Sequence, residues 1–267
     1  MNRFAAGASL LFGHLGLAGI LLAATAPGIR AGQSAPDAQA AQPPLSDTRL
    51  TVHTLLREDI FAGFLADDMT RFARGEKNID LLLERRPDQK ANLLAWKGGA
   101  LLYRAVRASE QNRSAEFQRL YRQGTELLAQ SSKLTTGNDG VLAVVGGSNV
   151  IFAERLPKAK RAAAWEQAYN AYHALVKQQD AALDKLPVHF RGELLAGLAV
   201  SAARTGHAEE AMQVVNRMLA NLQDTPYEPE IKRWKANPGA TPGSGLTCMS
   251  CHEPGRLAAR LKTLDAK

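Results

Sequence analysis

From Asp47 onward the apolar residues recur at three- and four-residue spacings, the period of a helix that buries one face. Leu55, Leu56, Ile60, Phe64 and Leu65, continued by Met69 and Phe72, predict one long amphipathic helix ending at Gly75. A shorter helix is expected through Ile79, Leu82 and Leu83 to Arg86. Pro87 suits the first turn of the next helix, where a missing N–H leaves nothing unpaired. That helix carries Leu93, Leu94, Trp96, Leu101, Leu102 and Tyr103 around the small residues Gly98, Gly99 and Ala100. Small residues inside a helix cost stability, and close approach of a neighbouring helix is the usual compensation.

Ser114 to Ser131 reads as a further helix with Phe117, Leu120, Tyr121, Leu127 and Leu128 on its apolar side, and residues 135–140 form a turn. Val141 to Leu156 fits a buried helix or a strand by pattern alone; helix is favoured because every neighbour is helical. Its Val144-Val145-Gly146-Gly147-Ser148 run lacks the Gly-Lys-Ser/Thr of a phosphate loop. Beyond Pro157, the stripe Trp165, Tyr169, Tyr172 and Val176 predicts core packing. Pro187 breaks the chain again, and Leu194–Arg204, Thr205-Gly206 and Glu209–Leu222 predict a helix-turn-helix pair. Residues 225–229 end this series, followed by a short helix from Ile231 to Ala236.

In that last pair, Ala199, Gly206, Ala211 and Val215 stand where a tetratricopeptide repeat places its small helix-A residue, its turn residue and two helix-B residues. The pair resembles that repeat, and Gly63 to Pro87 resembles it more loosely through Ile79, Leu82 and Pro87. The resemblance implies an all-α, irregular stack of tetratricopeptide-like helical hairpins over residues 47–236, a shape that offers a partner-binding surface.

The ends of the chain differ from this body. Arg3 followed by the apolar stretch Phe4–Ala26 reads as an export signal over residues 1–31, with cleavage after Ala31 or Ala40. Left uncleaved, the stretch is long enough to anchor the protein in a membrane; the absence of Cys there argues against a lipoprotein anchor. A Pro-, Ala- and Gln-rich linker spans residues 32–46. With 45% hydrophobic and 22% charged residues the chain is globular in composition, and its net charge of +7 is spread without a Lys/Arg block. That distribution argues against nucleic-acid binding and suits a solvated basic surface.

The chemistry concentrates in residues 237–267. Both cysteines of the chain lie in Cys248-Met249-Ser250-Cys251-His252, behind a Gly- and Pro-rich tether over residues 237–245 and ahead of an amphipathic basic helix with Leu257, Leu261 and Leu264 on one face. The C-x-x-C-H pattern is that of covalent c-type haem attachment: two thiols at this spacing meet the two vinyl groups on one edge of a porphyrin, and the adjacent imidazole reaches the iron. A zinc site would need a second ligand pair, and a thioredoxin-type dithiol a strand-helix context. A short-range disulfide stays open. With 15 residues (253–267) after His252, a small class I cytochrome domain is not expected. The placement is similar to cytochromes c-prime, which implies Cys248 and Cys251 as thioether attachment points and His252 as proximal iron ligand.

A distal ligand would come from His53, His173, His189, His207, Met69, Met212, Met218 or Met249, or the iron would stay five-coordinate. Each is an ordinary surface His or core Met in the absence of other information. Trp234 and Tyr227 are candidates to cover a haem face, against a default of core packing. Adjacent acids such as Glu209-Glu210 suit solvation, and no hydrolase, zinc-protease or nucleotide motif is present. The expected function is electron transfer by an exported, periplasmic or inner-membrane-anchored, mono-haem c-type cytochrome-like protein docked to a redox partner. The alternative is a periplasmic protein-binding scaffold whose Cys248 and Cys251 form a disulfide. Haem catalysis or gas sensing would require an open distal site.

Overall fold

Asp67 and Asp68 decide where the first helical hairpin turns. Asp67 takes a left-handed conformation (φ +54°), and the Asp68 carboxylate accepts a hydrogen bond from the Arg71 backbone N–H at 3.0 Å. This is an N-cap, and it starts a new helix. The single helix expected up to Gly75 is therefore two: α1 (Leu55–Ala66) and α2 (Met69–Arg85). The short helix expected through Ile79 is the second half of α2. Gly75 does not end a helix but lies buried against α1, where a Cβ would meet Ile60 and Asp59 at 3.0–3.2 Å.

The computed structural model describes residues 51, 55–135, 137–225, 227–237 and 262. Among them the remaining helices are α3 (Lys90–Glu110), α4 (Ser114–Leu134), α5 (Asp139–Phe152), α6 (Lys158–Gln179), α7 (Val188–Arg204), α8 (Ala208–Asn221) and α9 (Glu228–Ala236). No strand occurs among the described residues, so the all-α expectation holds. Pro87 opens a 3₁₀ turn that feeds α3, and Asn138 caps α5 by accepting from the Val141 N–H at 3.1 Å. The segment legible as helix or strand is thus α5.

Consecutive helices pair into hairpins, α1 with α2, α3 with α4, α5 with α6 and α7 with α8. The odd-numbered helices α3, α5 and α7 stack in order, and α9 packs on α8. One continuous apolar core runs from Leu56 to Trp234. Rings organise its first half: Phe64 of α1 lies 5.1 Å from Tyr103 of α3 and 4.8 Å from Phe152 of α5, while Phe61 meets Trp96 edge-on at 5.6 Å. Such pairs add roughly 0.5–1.5 kcal/mol each beyond their burial. The first helix is thereby tied to the second and third hairpins.

The small residues of α3 serve the expected close approach. A Cβ on Gly98 would stand 2.9 Å from the Gly124 carbonyl oxygen and 2.8 Å from Leu128, both on α4. Tyr172 of α6, from the predicted core stripe, is buried with its ring beside Gly146 of α5 and Gly197 of α7, where added Cβ atoms would fall 2.8 and 2.3 Å away. Trp165 and Val176 of the same stripe are buried, but Tyr169 is half-buried.

Two acidic residues of α1, Glu58 and Asp59, are buried among the described residues. The Asp59 carboxylate, 0% exposed, accepts from Arg74 Nε at 2.7 Å, Arg74 Nη2 at 2.6 Å and Arg71 Nη1 at 3.2 Å. It ties α1 to α2 through a two-pronged guanidinium contact.

Candidate haem site and the ligand candidates

The motif residues Cys248, Met249, Cys251 and His252 lie outside the described residues, as do the tether after Asn237, the terminal helix expected around Leu257, the export signal, the linker and His53. The donor set itself, two thiols and an imidazole in five consecutive residues, fits a c-type haem. Apart from Lys262, the described residues end at Asn237, at the end of α9.

Tyr227 and Trp234 do not offer faces to a haem. They are 3% and 4% exposed, and the Tyr227 ring fills the space above Gly192 of α7, so core packing is their role. Met218 is also sealed in the core at 0% exposure and would reach an iron only by unfolding α8. Met69 and Met212 are half-buried on α2 and α8.

His189 sits at the start of α7, half-buried, with its ring 4.1 Å from that of Phe190. Burial, assisted by the Arg57 charge, holds its imidazole below the ordinary 6.5. The folded state therefore prefers neutral His189, and below about pH 6.5 the unfolded chain takes up this proton first. Unfolding free energy should fall as pH drops from 6.5 towards the folded-state value. In His189→Gln that component of the slope should vanish, while the two proteins keep a constant difference above pH 6.5; urea titrations at stepped pH would check it.

The two remaining candidates meet. His207, exposed at the N-cap of α8, stacks on the Tyr169 ring at 4.3 Å and an 11° tilt. His173, exposed one turn beyond Tyr169 on α6, lies 5.5 Å from the same ring and 3.6 Å through Nε2 from Glu210 Oε1. Tyr169 donates its hydroxyl proton to Glu210 Oε2 at 2.7 Å. Burial, and the Glu210 carboxylate beside it, push the Tyr169 hydroxyl up to about 12. Two histidines from different hairpins thus share one carboxylate-tyrosine pair.

Beside them a half-open cleft of about 320 Å³ runs between α6 and α8. Val176, Leu198 and Val214 supply apolar lining, with Lys177 and Arg217 as its cations and His173 and Glu210 at one end. Sequence reasoning missed Glu210 and Tyr169 as site residues. The four-residue spacing of Tyr169 and His173 was the available signal, since it places both on one helix face. Nothing local connects them to Glu210. Among the described residues no group of three or more His, Cys, Asp and Glu is placed to hold a metal ion, and no helix is long and apolar enough to cross a membrane. No protein-family model matches this chain, and neither a curated protein nor a solved structure matches it.

Proposed function

We propose that the chain is an exported, mono-haem c-type cytochrome-like protein that transfers electrons through a haem held on its C-terminal segment. The observation that carries this is the Cys248-Met249-Ser250-Cys251-His252 run, which holds both cysteines of 267 residues. The export signal read at Arg3 to Ala26 supports it, because c-type haem is attached outside the bacterial inner membrane.

In this reading Cys248 and Cys251 would hold the porphyrin through their thiols, each by an S–C bond to one vinyl group with the thiol hydrogen left on the neighbouring vinyl carbon, so that attachment would need no oxidant. His252 would supply an imidazole to the iron. When bound, the haem supplies a one-electron redox couple. The protein's own part is to hold it, to limit its exposure to water, and to present a surface to a redox partner. The net charge of +7, or +5 once residues 1–31 with Arg3 and Arg30 are removed, favours an acidic face on that partner.

The test is a pyridine haemochrome spectrum with haem staining of a denaturing gel, on protein made in a periplasm with c-type maturation machinery. A c-type band retained under denaturation and lost in Cys248→Ala/Cys251→Ala is the expected result. Protein without haem under those conditions would overturn the reading. The helical-hairpin stack would then favour an exported protein-binding scaffold with a Cys248–Cys251 disulfide.

A further inference from the structure

We infer that Asn112 is an acceptor for N-linked glycosylation, taking an oligosaccharide from a polyprenyl-pyrophosphate carrier at the exposed turn between α3 and α4. The inference rests on the export part of the reading above, because that transfer takes place outside the cytoplasm, and it needs no haem.

The sequence carries the first observation. Asn112-Arg113-Ser114 is an N-x-Ser sequon with no Pro at its middle position. No other asparagine of the chain is followed two residues on by Ser or Thr. Glu110 adds an acid two residues ahead of Asn112, the further feature that bacterial transferases of this class require of an acceptor.

The fold puts these residues on the surface. Asn112 takes a left-handed conformation (φ +58°), its backbone N–H donates to the Ser109 oxygen at 3.0 Å, and the Arg113 N–H donates to the Ala108 oxygen at 2.8 Å. Those two bonds close the end of α3 in the manner of a Schellman turn, and residues 111–115 are all exposed.

The turn accounts for part of the motif only. A left-handed position tolerates Asn, although Gly fills it at less cost, and it asks nothing of the residue two places on. Ser114 stands one position too late to cap α4: Arg113 holds the cap position, and no side chain bonds there. Among the described residues the Asn112 carboxamide and the Ser114 hydroxyl make no hydrogen bond. These are the two groups a transferase engages, and both face solvent uncommitted. Glu110 is held by Arg155 at 2.9 and 3.0 Å, and Arg113 by Glu116, but each of these side chains is 36–49% exposed. Such surface pairs give way readily to a binding enzyme.

The transfer balances without an oxidant or reductant. A bond forms between Asn112 Nδ2 and the anomeric carbon of the first sugar, and the bond from that carbon to the pyrophosphate oxygen breaks. The polyprenyl pyrophosphate leaves with the bonding pair, and one amide proton passes to a base of the enzyme.

The experiment incubates the purified, folded full chain with a bacterial oligosaccharyltransferase and a polyprenyl-pyrophosphate-linked oligosaccharide, and reads intact mass and a peptide map. The wild type should gain one oligosaccharide, at Asn112. Asn112→Gly, which suits the left-handed turn, and Ser114→Ala should gain none. Glu110→Gln should react at least about tenfold more slowly, as suits the loss of one charge-assisted contact. All three variants should keep the helical circular dichroism of the wild type. An unmodified wild type, a glycan at another residue, or an unchanged rate in Ser114→Ala would each overturn the assignment. Modification seen only after unfolding in urea would overturn the folded turn as the acceptor. A second arm expresses the chain, with residues 1–31 in place, in bacterial cells that carry the same transferase and carrier, and a glycosylated periplasmic protein is expected. A chain modified in the purified reaction but left unmodified in the cytoplasm of those cells would overturn the export reading and, with it, the use of the site. Absence of haem bears on the haem reading alone.

Discussion

Arg74→Leu should lower the unfolding free energy by about 3 kcal/mol, because it strips the two-pronged partner from a carboxylate with no access to water. Breaking a buried ion pair by removing one partner typically costs about 3–5 kcal/mol, since the remaining charge stays desolvated. Arg71, at 3.2 Å, still faces Asp59 and keeps the effect at the low end. The reciprocal change is milder: without the Asp59 carboxylate, the 12–13% exposed Arg74 and Arg71 side chains can extend to solvent. Asp59→Leu added to Arg74→Leu should recover much of the loss, because an apolar pair of similar volume removes the stranded charge. Urea titrations of the two single variants and the double variant would give the coupling. A loss under about 1 kcal/mol in Arg74→Leu would mean that the contact behaves as a surface pair.

Gly98→Val should cost a comparable amount, about 3 kcal/mol, by a different route. The new side chain would collide with the Gly124 carbonyl oxygen, and a backbone atom cannot be turned aside as a side chain can. The contact is mutual, since a Cβ on Gly124 would stand 3.0 Å from the Gly98 oxygen. Relief therefore requires α3 and α4 to separate along much of their shared length. Overpacking of a well-filled core costs roughly 1–3 kcal/mol, and more where backbone must move. Gly147→Ala on α5 provides the contrast. Its Cβ would meet only the Tyr172 hydroxyl, at 3.6 Å, so the alanine should gain helix propensity worth up to about 1 kcal/mol. Thermal or urea unfolding should move in opposite directions for the two variants. Equal effects at both positions would contradict the close approach of α3 and α4.

The failure at Asp67 marks the limit of periodicity. Leu65, Met69 and Phe72 keep helical spacing across the turn because α1 and α2 both bury residues there, and an apolar count is blind to the reversal between them. The signal was present in other residues. Two consecutive aspartates ahead of Met69 offer one for the left-handed position and one for the cap, both conformations that Asp tolerates well. The glycines were legible only by halves. Gly98 inside an apolar helix announced a close neighbour, but that the neighbour is Gly124 depends on residues more than a helix away.

What the sequence by itself determined about this protein is whatever neighbouring residues settle among themselves. The helical period, most breaks between helices and the C-x-x-C-H run are of this kind, because caps, turns and a thiol pair with its imidazole act over a few residues. The tertiary structure alone decided the rest. Tyr227 and Trp234 became core because α7 and α8 supply surfaces for them, and Met218 was withdrawn from the ligand candidates by the same packing. It also joined His173 of one hairpin to Glu210 of the next around Tyr169. Such pairings follow from which helix faces bury the most apolar surface together, a sum over the whole chain that no local stretch contains.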